Sequence, residues 1–260
     1  MTPHLRTHGD PDDPLLLCLH GIGSCADAFV GQFPLAERCG RFIVSWDAPG
    51  YRHSADVAAP FGLDDWADAA AEVIVEHGGG GPADVLGVSW GGVSATRLAL
   101  RHPALVRSLI LADSSVGSGI DPEVADAMRG RATDLAALGH EEFCRSRAPR
   151  LVRPDASAEF IEQVAQMMIE SVRLETYDLA CRSMADTDHT PRLGEILVPT
   201  LVLIGEHDIV TPMERATALV AGIDGADLIV IDDAGHLANQ EQPEAVNTVV
   251  GDFLARVNMG

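Results

Sequence analysis

Six short apolar runs, spaced by segments of helical periodicity, constrain this chain more than any other feature. The runs are Leu15–Leu19, Phe42–Trp46, Ala83–Val88, Ser108–Ala112, Thr200–Ile204 and Leu228–Ile231. Between most of them, Ala26–Arg38, Asp64–His77, Val93–Arg101, Met213–Val220 and Pro243–Val257 carry the apolar spacing of helices. Such alternation predicts an α/β fold built on a doubly wound, mostly parallel sheet. The first strong strand starts at Leu15, so strands ahead of it are expected to be shortened or partly missing.

The alternation fails between Ser114 and Arg192, where Pro122–Met128, Glu141–Arg145 and Ala158–Arg173 read as amphipathic helices with no strand among them. The expected organisation is a core of residues 1–113 and 193–260 interrupted by a helical insertion at 114–192. A chain of 260 residues suits one large α/β domain. No apolar stretch approaches the roughly 18 residues of a membrane span. Residues 1–10 are polar and lack a secretory pattern. The five cysteines, an odd number without a Cys-x-x-Cys pair, argue against a disulfide framework, so a cytoplasmic setting is expected.

The net charge is −21 and all eighteen basic residues are arginine, which disfavours nucleic acid and anionic membranes as partners. Six of these arginines fall between Arg129 and Arg153. Pairing with nearby acids such as Glu141 and Glu142 on a solvated helix face is the favoured reading; attraction of an acidic substrate is the competing one.

Gly87-Val88-Ser89-Trp90-Gly91 follows an apolar run and opens a helix-like segment, the context of a nucleophile elbow. The glycines permit a turn tight enough to hold Ser89 in a strained conformation with its hydroxyl exposed. Two further runs end in chemistry-bearing residues, Asp208 after Thr200–Ile204 and His236 after Leu228–Ile231, at the strand ends where open α/β sheets place ligand-binding groups. Upstream, His20-Gly21-Ile22-Gly23 can present the Ile22 N–H to a carbonyl oxygen, with the Trp90 N–H as second donor. Cys25 follows this turn as a candidate pocket residue, with no local partner that would activate it.

These residues resemble the α/β-hydrolase superfamily over nearly the whole chain. His20-Gly21-Ile22-Gly23 is similar to its oxyanion loop, and Asp47-Ala48-Pro49-Gly50-Tyr51-Arg52-His53-Ser54 to its Asp-x-Pro-Gly-x-Gly-x-Ser loop. The resemblance is nearest to 3-oxoadipate enol-lactonase-like small esterases and lactonases. It implies Ser89 as nucleophile, Asp208 rather than Asp113 as acid, His236 as base, Ile22 and Trp90 as oxyanion hole, and the insertion as a cap. His20 then serves as scaffold to the oxyanion loop.

Arg52 departs from the family pattern by standing where a second glycine is usual. If that glycine serves a positive φ, the arginine would redirect the loop. Arg52, with Met128 and Met184 of the insertion, is a candidate substrate contact. Met167 and Met168 lie in the same insertion, and at most one or two methionines are expected to touch a ligand.

The implied activity is hydrolysis of a small carboxylic ester or lactone through an acyl-enzyme, without metal or organic cofactor; the sequence leaves the oligomeric state open. Alternatives on the same fold are a carbon–carbon bond hydrolase of ring-cleavage products and a cofactor-free perhydrolase or dioxygenase. Carbon–carbon hydrolases of this kind typically carry tryptophan after the catalytic histidine, where this chain has Leu237. A protein that keeps the triad but uses the pocket as a receptor is the remaining class.

Overall fold

The computed structural model describes residues 3–258. The described strands are β1 (His4–His8), β2 (Leu15–Leu19), β3 (Phe42–Asp47), β4 (Ala83–Val88), β5 (Val106–Ala112), β6 (Thr200–Gly205) and β7 (Asp227–Ile231). They form one sheet in the order β1-β3-β2-β4-β5-β6-β7. All neighbours pair in parallel except β1, which runs antiparallel to β3 with His4 opposite Asp47. Three helices lie in the first half of the chain, α1 (Leu35–Cys39), α2 (Leu63–His77) and α3 (Trp90–Arg101). Then come α4 (Pro122–Leu138), α5 (His140–Arg147), α6 (Ala158–Ser171) and α7 (Leu174–Ala185), followed by α8 (Met213–Gly222), α9 (Ala238–Glu241) and α10 (Pro243–Val257).

Side chains alternate across a strand, so β2 feeds two cores. Leu15, Leu17 and Leu19 join Trp66 and Ile74 of α2 and Leu98 of α3, whereas Leu16 and Cys18 join Leu35 of α1 and Val250 and Phe253 of α10. The sheet is thereby covered on both faces, which is why its central strands carry no polar alternation.

One leading strand, β1, precedes the run at Leu15; it is five residues long, and its sequence His-Leu-Arg-Thr-His lies largely exposed at the sheet edge and shows no apolar run. Two expectations need correction. The helix expected over Ala26–Arg38 splits into a 3-10 segment, Ala26–Gln32, and α1, separated at Pro34, which has no N–H to continue the ladder. The helix expected over Ala158–Arg173 ends at Ser171, and α7 follows it separately.

Polar groups also organise the core. Asp84, fully buried at the start of β4, accepts from Arg41 Nε at 2.8 Å, Arg107 Nε at 2.9 Å and Ser108 Oγ at 2.7 Å. Arg41, itself only 2% exposed, also donates to the carbonyls of Cys39 and Gly40 and to Asn258.

Among the described residues, four non-glycine residues have positive φ: Arg52 (40°), Ser89 (55°), Asp113 (49°) and Asp233 (54°). Each lies in the loop that leaves the C-terminal end of a strand, β3, β4, β5 and β7 respectively.

Candidate active site

The turn from β4 into α3 is built by close approach. A Cβ on Gly87 would lie 2.4 Å from the Gly91 carbonyl oxygen, and one on Gly91 would lie 2.0 Å from that of Leu19. Neither glycine has positive φ; that conformation falls on Ser89 itself (φ 55°, ψ −119°). The glycines supply room and the serine carries the strain.

Ser89 Oγ lies 2.9 Å from His236 Nε2, and His236 Nδ1 lies 2.9 Å from Asp208 Oδ2. The carboxylate can only accept, so Nδ1 carries the proton and Nε2 is free to accept from the serine hydroxyl. Asp208 Oδ1 receives the N–H groups of Val210 and Thr211 at 2.8 and 2.9 Å, and Thr211 Oγ1 approaches Oδ2 at 2.5 Å. Burial alone would raise the Asp208 pKa. The His236 charge and the hydrogen bonds from His236 and Thr211 outweigh it and hold the carboxyl below its usual range.

Asp113, the competing acid, does not reach His236. Its two oxygens receive the N–H groups of Gly205 at 2.8 Å and Ala238 at 3.1 Å, tying the loops that carry Asp208 and His236 to β5. Burial, with Asp208 nearby, raises its pKa well above the ordinary carboxylate value.

The Ile22 and Trp90 N–H groups find no acceptor among the described residues, and both residues border the space beside Ser89. His20 holds this loop. Its Nε2 accepts from the Ala48 N–H at 3.0 Å, so Nδ1 bears the proton and donates to Gly21 O at 2.8 Å. Burial lowers the His20 pKa to about 4, so it stays neutral where a base would titrate. The unfolded residue protonates near 6.5. Between those values the unfolded chain binds more protons, and stability falls as pH drops from 6.5 toward 4. His20 alone is expected to remove about 3 kcal/mol over that window, read by urea unfolding at stepped pH, while its NMR resonances do not titrate above about pH 5.

Two cavities meet at Ser89. The larger, about 690 Å³ including its mouth, is lined by His236, Leu151, Val164, Met167 and Met168, and by Arg131, Arg147 and Tyr177. The smaller, about 510 Å³, is lined by Trp90, Met128, Met184 and Thr211, with Arg131 shared. Met128 and Met184 line the smaller cavity with Ser89, and Met167 and Met168 line the larger. Arg52 and Cys25 line neither cavity.

The Arg52 guanidinium is consumed by Asp27 at 2.6 Å, Glu170 at 3.1 Å and the Cys25 sulfur at 2.9 Å. Its loop is not redirected either: Arg52 takes the positive φ, and its N–H donates to Ser171 O at 3.3 Å. Thr211 and Tyr177 escaped the sequence reading, and Arg131 and Arg147 entered it only as members of the six-arginine cluster, because nothing in a helical insertion or a post-strand loop announces which side chain turns inward. Two clusters of possible metal ligands, His4–Asp47–His53 and Glu206–His207–Asp233, also form by folding, and neither lines either cavity.

Known proteins share this architecture. A family model for the alpha/beta hydrolase fold matches residues 14–243. 3-Oxoadipate enol-lactonase 2 of Acinetobacter baylyi is 27% identical, covering 97% of this chain and 92% of that protein. A 2-hydroxy-6-oxononadienedioate/2-hydroxy-6-oxononatrienedioate hydrolase of Klebsiella pneumoniae is 28% identical over 97% and 91%. Among solved structures, a thermophilic esterase from Thermogutta terrifontis superposes with a TM-score of 0.88 at 27% identity, covering 98% of this chain and 93% of that one. With the family model spanning most of its length and hydrolases as its relatives, this chain belongs to the α/β-hydrolase family.

Proposed function

We propose that the protein is a serine hydrolase of small carboxylic esters or lactones, with Ser89 as nucleophile, His236 as base, Asp208 as orienting acid and helices α4–α7 as a cap over the site. The observation that carries this is the unbroken relay from Ser89 through His236 to Asp208, both steps at 2.9 Å, beside Ile22 and Trp90, whose N–H groups have no acceptor among the described residues. As Ser89 Oγ attacks the carbonyl carbon, its proton passes to His236 Nε2 and Asp208 stabilises the imidazolium. The Ile22 and Trp90 N–H groups receive the oxyanion, where losing one donor costs on the order of 10² to 10³ in rate. The tetrahedral adduct collapses as His236 returns the proton to the leaving oxygen. Water, giving a proton to His236, then attacks the acyl-enzyme, and His236 passes that proton to Ser89 Oγ as the acid leaves. Five unpaired thiols suit a reducing cytoplasmic setting.

Carbon–carbon cleavage is the second reading, favoured by the name of the Klebsiella relative; Leu237 after His236 weighs against it. Mass spectrometry after fluorophosphonate treatment is expected to find one adduct, on Ser89, and a p-nitrophenyl ester to give a burst followed by steady turnover. An unlabelled protein without ester or lactone turnover overturns the proposal.

A further inference from the structure

The helical insertion presents positive charge to the cavity without a counter-ion. Of the six arginines between Arg129 and Arg153, three behave as surface residues: Arg129 pairs with Asp126 and Asp186, Arg145 with Glu162, and Arg153 with Asp155. Arg131 on α4 and Arg147 on α5 instead line the larger cavity with Tyr177 of α7. Among the described residues neither Arg131 nor Arg147 forms an ion pair. Burial and the neighbouring charge of Arg131 hold the Arg147 pKa below its ordinary value, yet a guanidinium remains a cation near neutrality.

Tyr177 completes the arrangement. It is 1% exposed and its hydroxyl has no hydrogen-bond partner; the Cys181 thiol beside it, a weak acceptor, meets no hydrogen-bond geometry. Burial pushes its pKa up to about 12 against the pull of the two arginines, so the phenol keeps its proton and can donate. The wall thus offers two cations and one unsatisfied donor, and no acceptor answers them. A buried unsatisfied donor and two like charges in one wall are both unfavourable, and an anion with two acceptor oxygens answers both. Leu151, Val164, Met167 and Met168 line the rest of the cavity and suit an aliphatic chain. The net charge of −21 opposes an anion at long range, so its recognition has to be local.

We propose that Arg131, Arg147 and Tyr177 form a carboxylate receptor, and that the substrate is an ester or lactone bearing a free carboxylate on an aliphatic chain. Arg147 and Tyr177 line only the larger cavity, so the carboxylate belongs to the part of the substrate that fills it. The substrate assignment rests on the hydrolase reading; the receptor itself does not.

Two measurements test the pieces separately. In the first, kcat/KM for mono-p-nitrophenyl adipate is divided by that for its neutral methyl ester. The wild-type ratio is expected to exceed about 10, and to fall about 30- to 100-fold in Arg131→Met and Arg147→Met. Tyr177→Phe, which removes only the unpartnered hydroxyl, keeps or raises the melting temperature and lowers the ratio about 3- to 10-fold, so the idea does not depend on an arginine variant folding. A wild-type preference for the neutral ester, or a ratio the variants do not move, overturns the receptor. In the second, calorimetry follows adipate binding to Ser89→Ala, with and without Arg147→Met. Binding that needs Arg147, together with a wild type that turns over neither ester, supports the receptor and sinks the hydrolase reading. Turnover of esters with no adipate binding leaves the hydrolase reading standing and removes the receptor.

Discussion

Ser89→Gly is expected to yield a protein that is inactive yet more stable than its parent. On the proposed mechanism, removing the hydroxyl deletes the nucleophile, and loss of a triad serine typically lowers kcat on the order of 10⁵ to 10⁶. The same residue holds φ 55° and ψ −119°, a conformation that strains any side chain with a Cβ. Relief of about 1 to 3 kcal/mol of strain outweighs the roughly 0.5 to 1 kcal/mol by which glycine favours the unfolded chain. The net gain is about 1 kcal/mol, or about 2 to 4 °C in Tm. Ser89→Ala is equally inactive but keeps the strain. Urea unfolding of the two variants beside the parent, with ester turnover on each, checks this; a Ser89→Gly protein less stable than Ser89→Ala contradicts the strain argument.

The largest expected loss of stability lies at the far end of the same strand. Asp84→Ala strips the partner from Arg41, whose guanidinium is buried and cannot lose its charge. Breaking a buried pair from one side costs about 3 to 5 kcal/mol, a large share of the roughly 5 to 15 kcal/mol that holds a domain folded. The double variant Asp84→Leu with Arg41→Met is expected to recover part of that loss, because it removes the buried Arg41 charge and leaves only Arg107, which is a quarter exposed and can turn to water. Denaturant midpoints of the two variants beside the parent decide the matter; a double variant no better than Asp84→Ala would show that Arg41 acts mainly through Asn258 and the Cys39 and Gly40 carbonyls.

Buried parallel strands were legible because they are apolar along their length, and β2 and β4 fall where the apolar runs stand. β1 was not, since an edge strand of polar residues carries no burial signal. The elbow and its partners could be read because each follows a strand end, a position that sequence order alone preserves. Asp113 and Asp208 satisfy that criterion equally well. Their different duties, one tying loops together and the other holding His236, emerge only once three strand ends are brought side by side. Arg131 and Arg147 stand two residues beyond Arg129 and Arg145 on α4 and α5, so the members of each pair leave opposite sides of their helix; which side faces the cavity is settled only by how the helices pack.

The four left-handed residues, Arg52, Ser89, Asp113 and Asp233, all stand on one rim of the sheet. Each such residue stores about 1 to 3 kcal/mol of backbone strain. Heat tolerance gained by relaxing that rim is therefore gained at the expense of the loops that shape the site, as Ser89→Gly would demonstrate. A search for a thermotolerant form of this chain belongs at the opposite rim, in the turns that enter β4 and β6, where shorter loops, added proline or better helix ends leave the reactive side untouched.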